Sequence, residues 1–119
     1  MKAMSYSFAF WAGNSAMDPE EAYMKMNLGE QLDSITPLDR EAVLQGLLQH
    51  LAGWSFDGQF LRPPGTEADG GTVFDVHIGG QMVEATAYSF EDEQANELID
   101  AMRALGLRLF DPQVGVRFE

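Results

Sequence analysis

The sequence predicts an α+β fold: a two-layer sandwich, an antiparallel sheet with helices on one face, ferredoxin-like or a close variant, in the order β-α-α-β-β-α-β. Three observations predict it. Residues 5–11 alternate with period two, as a half-buried strand does. Asp18-Pro19-Glu20-Glu21 and Thr36-Pro37-Leu38-Asp39 are two helix start signals in succession. Two alternating runs, 73–78 and 81–89, flank Gly79-Gly80 and form a hairpin pattern. The chain of 119 residues suits one domain, residues 1–119, and its 45% hydrophobic side chains can fill a core without disulfide or metal.

The opening strand puts Tyr6, Phe8 and Phe10 on one face and Ser5, Ser7 and Trp11 on the other. Gly13-Asn14 ends it. In the first helix Asp18 is the N-cap, Pro19 stands in the first turn and Glu21 closes a capping box. That helix runs to about Leu28, before Gly29. The second helix follows Thr36-Pro37, carries Leu44, Leu47, Leu48 and Leu51 at helical spacing, and stops by Gly53. Beyond Trp54 the chain is polar and rich in Gly and Pro until Thr72, which reads as a loop.

Gly-Gly suits a two-residue primed turn, and a loop of Gly79-Gly80 pairs Ile78 with Gln81, Val76 with Val83 and Asp75 with Glu84. Phe74, Val76, Ile78, Val83, Ala85 and Ala87 then face the helices. Asp75, His77, Met82, Glu84, Thr86 and Tyr88 face away. Ser89 caps the last helix, whose stripe is Ala95, Leu98, Ile99, Met102 and Leu105, and Gly106 stops it. Residues 107–110 form a short strand, and residues 114–118 are a candidate last strand.

Composition excludes several classes. Nineteen acidic against seven basic residues give a net charge of −12. Nucleic-acid phosphates and anionic membrane surfaces require clustered Lys and Arg, so neither is an expected partner. No cysteine is present, which removes thiolate metal sites and cysteine nucleophiles. The run at residues 5–11 is too short and too alternating for a signal-peptide core, and no stretch reaches membrane-spanning length, so a cytoplasmic protein is expected.

The chemistry-bearing residues point away from catalysis. His50 falls near the end of the second helix, where an imidazolium complements the dipole. His77 with Asp75 and Glu84 resembles a one-His, two-carboxylate metal set, but one imidazole is a poor anchor and no metal is expected. Glu20-Glu21 and Glu91-Asp92-Glu93 occupy first turns of helices, a capping arrangement. Gly70-Gly71 and Gly79-Gly80 lack the Lys of a phosphate loop. No cofactor motif and no catalytic residues emerge, so no enzyme is expected.

The outward sheet face, with Trp11, Asp75, Glu84, Tyr88 and the following strand's Arg108 and Phe110, admits two readings. It is a solvated face, or it is a docking surface whose carboxylates await Lys or Arg and whose aromatics are anchors.

Two segments carry a family resemblance. Met4-Ser5-Tyr6-Ser7-Phe8-Ala9-Phe10-Trp11 resembles the "MSYDLAVW" opening of a group of small acidic bacterial proteins. Ala104-Leu105-Gly106-Leu107-Arg108-Leu109-Phe110-Asp111-Pro112-Gln113 resembles their "HGLVCFDPQSG" tail. Ser7 stands where the group usually has Asp, and Val114 where it often has Ser. The resemblance implies an accessory protein encoded beside polymorphic-toxin genes, with an immunity function. Together with the acidity, the expected protein binds a cognate intracellular toxin and occludes its basic active site. The expected contact residues are Trp11, Asp75, Glu84, Tyr88 and Phe110, with Glu20, Glu21, Glu91 and Glu93 at the periphery. The rival readings are a small-ligand-binding or regulatory domain, often a homodimer, and a metal-dependent enzyme using Asp75, His77 and Glu84.

Overall fold

The fold is organised around β1 (Tyr6–Trp11), which is apolar on both sides over its last four residues. Phe8 and Phe10 enter one buried cluster, while Ala9 and Trp11 enter another. The computed structural model describes residues 6–13, 18–64, 73–89, 92–113 and 115–117. After β1 come α1 (Pro19–Asn27), α2 (Arg40–His50), β2 (Ser55–Phe56), β3 (Phe60–Arg62), β4 (Val73–Ile78), β5 (Val83–Ser89), α3 (Asp92–Ala104), β6 (Arg108–Asp111) and β7 (Val116–Arg117). All strands join one antiparallel sheet in the order β2-β3-β4-β5-β1-β6-β7.

The α+β class and the antiparallel sheet stand as expected. The strand order differs from a ferredoxin-like sheet, because β2, β3 and β7 extend it and two helices separate β1 from the next strand. Helix placement differs as well. Val43 and Leu47 of α2, its C-cap Leu51, and Ala95, Leu98 and Met102 of α3 pack over Phe8, Phe10, Phe74 and Val83. Ala22 and Met26 of α1 pack on the opposite face, over Ala9, Trp11, Met82 and Phe110. The predicted single helical face is therefore corrected: α1 covers the other side of the central strands. The apolar run at residues 8–11 explains why, since a strand apolar on both faces needs a cover on each.

The connection between α1 and α2 passes around the end of the sheet. The Thr36 N–H donates to the Ala12 carbonyl at 2.9 Å, and the Leu38 N–H donates to the Gly80 carbonyl at 2.7 Å. Ile35 is buried in the α1 cluster, whereas Leu38 packs against the α2 and α3 cluster. These bonds tie Thr36 and Leu38 to the chain beyond β1 and to the hairpin turn, and the cap of α2 is Asp39, three residues beyond the Thr36 signal. Its carboxylate accepts from the N–H groups of Glu41 and Ala42. α1 begins as expected, with Asp18 accepting from Glu20 at 3.1 Å. It ends in a Schellman motif, the Glu30 N–H on the Lys25 carbonyl and the Gly29 N–H on Met26, with Gly29 at φ +91.

The hairpin register is two residues away from the predicted one. Ile78 faces Val83, His77 faces Glu84, and Asp75 faces Thr86. A slip of two preserves parity, so the inward faces of both strands stand as predicted: Phe74, Val76, Val83, Ala85 and Ala87 are buried. Asp75 and Glu84, however, are not opposite one another. The loop centres on Gly80-Gln81, and the Gly79 N–H donates to the Met82 carbonyl at 2.8 Å.

The segment after Trp54 is partly strand rather than loop. Asp57 turns β2 into β3, its Oδ1 accepting from the N–H groups of Gln59 and Phe60, with Gly58 at φ +105. At the other edge Val116 and Arg117 pair with β6, so part of the segment at residues 114–118 joins the sheet. Val114 and Phe118 lie outside the described residues, as does Ser89's predicted capping side chain.

Candidate functional site

β1 and the turn after β6 meet in space, and their contacts are architectural. The Tyr6 hydroxyl donates to Asp111 Oδ2 at 2.6 Å. Asp111 Oδ1 also accepts from the Gln113 N–H at 3.0 Å, which closes the turn after β6. The Gln113 side chain then pairs with the Ser7 backbone, accepting from its N–H at 2.8 Å and donating to its carbonyl at 2.9 Å. Arg117 lies over the Trp11 ring at 4.8 Å and donates to the carbonyls of Trp11 and Gly13, both at 2.7 Å.

Trp11 and Phe110 were expected as anchors on an open face. Both are buried, at 1% and 0% exposure, with ring centroids 5.4 Å apart. Tyr23 of α1 caps the pair, 5.3 Å from Phe110. In this conformation neither can touch a partner, because α1 lies over them. Glu84, on the same face, is half-buried and accepts from the Tyr23 hydroxyl at 2.6 Å. Burial first, then that bond, raises the Tyr23 phenol well above the ordinary value of 10.0. The phenol therefore stays a donor, and Glu84 is held in place from α1.

Beside Glu84 a cleft of about 290 Å³ opens between the end of α1 and the 79–82 turn. Glu30 and Asn27 line it from the α1 side, and His77, Glu84, Gln81 and Met82 line it from the hairpin. Gln81 is 8% exposed and locks the two sides together. Its amide donates to the carbonyls of Leu32 at 2.7 Å and Ile35 at 2.9 Å, and its oxygen accepts from the Leu32 N–H at 2.8 Å. Nothing in the local sequence marks Gln81, because its partners lie 46 and 49 residues away. A second hollow, of about 370 Å³, lies between the end of α2 and α3 and is lined by His50, Trp54, Glu97 and Asp100.

The other expected contact residues are spread out. Asp75 is half-buried on β4 and receives the Gln59 side-chain amide at 3.3 Å on both carboxylate oxygens. Glu20 and Glu21 are exposed in the first turn of α1, and Glu93 is exposed in the first turn of α3. The Tyr88 side chain and Glu91 lie outside the described residues. His77 is exposed opposite Glu84, and His50 is exposed in the last turn of α2. Among the described residues no group of three His, Asp or Glu is arranged to hold a metal ion, and no helix is long and apolar enough to cross a membrane.

α1 and its C-cap present an exposed apolar pair. Met26 is buried against the sheet, but Met24 and Leu28 stand 57% and 78% exposed. They are four residues apart, Met24 within α1 and Leu28 at its C-cap, on a helix opened by Glu20 and Glu21. Compared with known protein families and with curated proteins, the chain matches none.

Proposed function

We propose that the protein is an immunity-type inhibitor that binds one cognate intracellular toxin and occludes its active site, an acidic surface covering a basic cleft. The observation that carries this reading is the outward side of α1, where exposed Met24 and Leu28 share a face with Glu20 and Glu21. Spacings of three, four and seven residues align these four side chains. An apolar centre with a charged rim is the anatomy of a docking surface. The net charge of −12 favours a basic partner and speeds its approach. The resemblance of both chain segments to immunity-type proteins names the partner class. With Trp11 and Phe110 buried, Met24 and Leu28 take over as the anchors.

The test is capture from native lysate by the tagged protein, washed at low and then high salt. One stoichiometric basic protein is expected, lethal when expressed alone and tolerated when expressed with this chain. The double variant Met24→Asp/Leu28→Asp, whose melting temperature stays close to wild type, loses both capture and protection. Protection that survives the double change removes α1 from the interface, and a lysate that yields no partner overturns the inhibitor reading.

The cleft beside Glu84 favours a second reading, a small-ligand-binding or regulatory domain. A metabolite that raises the melting temperature, with no protein partner captured, would mark that outcome.

A further inference from the structure

The cleft between α1 and the hairpin has a chemical bias. Its ionisable lining is Glu30, Glu84 and His77, with no Lys or Arg among the lining residues. Glu84 is the fixed member. Tyr23 engages only its Oε2, and Tyr23 is itself fixed by ring contact with Phe110 of β6. Among the described residues the ion pairs are Lys25 with Glu30 and Arg62 with Asp57, so Glu84 has no cation of its own. Met26 and Met82 supply apolar wall beside these carboxylates. Polar wall and apolar wall together match a side chain that ends in a cation and carries a methylene stem.

We propose that this cleft is a socket for one arginine side chain of the inhibited protein, its guanidinium meeting Glu84 and its stem lying against Met26 and Met82. The proposal rests on the inhibitor reading and adds the residue chemistry of the contact. A guanidinium suits the site better than an ammonium, because its planar fork can span a carboxylate that is held in one orientation. A protein suits it better than a free cation because of the rim. Asn27 and Gly29 line the cleft, and Leu28 between them is 78% exposed. A small cation would leave Leu28 in water, whereas a protein surface carrying the arginine would cover it. The volume of about 290 Å³ fits one side chain and is at the low end for a drug-sized ligand. Gln81 keeps the socket formed before binding, since its three bonds fix the hairpin turn to residues 32–35 of the connection between α1 and α2.

The test uses the full chain and two probes, N-acetyl-arginine amide and N-acetyl-lysine amide, followed by amide chemical shifts. Saturable shifts at Gly79, Gly80 and Gln81 are expected with the arginine probe, weaker with lysine. Glu84→Gln keeps an acceptor for Tyr23 and should weaken arginine binding about tenfold. Glu30→Gln, an exposed position, serves as the second variant where Glu84→Gln lowers the melting temperature. Shifts spread over the whole acidic surface and unchanged by either variant overturn the socket. Probe binding that depends on Glu84, with no partner captured from lysate, supports a guanidinium site and overturns the inhibitor reading together with the protein source. A captured toxin held equally well by Glu84→Gln, with no probe binding, overturns the socket and leaves the inhibitor reading standing.

Discussion

The Tyr6 hydroxyl and the Asp111 carboxylate, 105 positions apart in the chain, are joined by a hydrogen bond of 2.6 Å. Asp111 is 9% exposed and is also the acceptor that shapes the turn after β6. Tyr6→Phe should therefore cost about 1.5 kcal/mol of stability, the worth of a hydrogen bond to a charged group. Asp111→Ala should cost more, about 3 kcal/mol, because Gln113 also loses its acceptor. Urea unfolding of both single variants and the double variant measures the coupling; additive losses would show that the bond contributes nothing.

Gln81→Ala should destabilise by about 2 to 3 kcal/mol, since it strands the Leu32 N–H and the carbonyls of Leu32 and Ile35. Gln81→Glu should be at least as harmful, because a carboxylate cannot donate to two carbonyls. Thermal melts of both variants check this, and a Glu variant as stable as wild type would contradict the clamp.

Two glycines share a left-handed backbone but differ in their surroundings. Gly29 has φ +91 with open space where a Cβ would stand, and Gly13 has φ +94 with the Ser34 carbonyl in the way. Gly29→Ala should cost about 1 kcal/mol, the left-handed penalty alone. Gly13→Ala should cost clearly more, because backbone of the neighbouring segment must also move. Equal losses in chemical unfolding would argue against the close approach of Gly13 to Ser34.

Tyr6 and Tyr23 both have phenols raised above 10.0, Tyr6 chiefly by its bond to Asp111 and Tyr23 chiefly by burial. The folded state binds these protons more tightly than the unfolded chain does. Their contribution is therefore complete below about pH 10 and is lost as pH rises through the folded values. In a phenolate absorbance titration, two of the three tyrosines should ionise late, together with alkaline loss of structure. Tyr23→Phe should remove one late phenolate and reduce the alkaline loss. Three phenolates appearing together near the ordinary value would contradict both bonds.

Much of the fold was legible from local chemistry. The Asp18-Pro19 cap, the Gly29 stop and the α3 stripe are decided within a few residues, and the structure places them accordingly. The hairpin faces survived a wrong turn centre because an even slip leaves parity unchanged. The position of α1 was not legible from alternation alone. Phe8, Ala9, Phe10 and Trp11 form an unbroken apolar run, which signals a strand covered on both sides, but a seven-residue window with serines at one end reads as one-sided. That one difference moved Trp11 and Phe110 from candidate anchors to core. The β2–β3 turn left a local trace, Asp57-Gly58 between aromatic residues, within a segment otherwise full of loop signals. The cleft left none, since it exists only where α1, the connection and the hairpin meet.

The place of β1 between β5 and β6 has a kinetic consequence. Its neighbours come from the far half of the chain, with pairings such as Ala9 to Phe110. Loop-closure entropy must be met before those contacts form, so the central strand is among the last to be secured and refolding should be slow for a domain of this length. Until β6 arrives, one edge of β1 is open beside the exposed ring of Trp11, a template for pairing with another chain. The same strand that unites both cores in the native state is thus the point at which a partly folded molecule is most prone to aggregate.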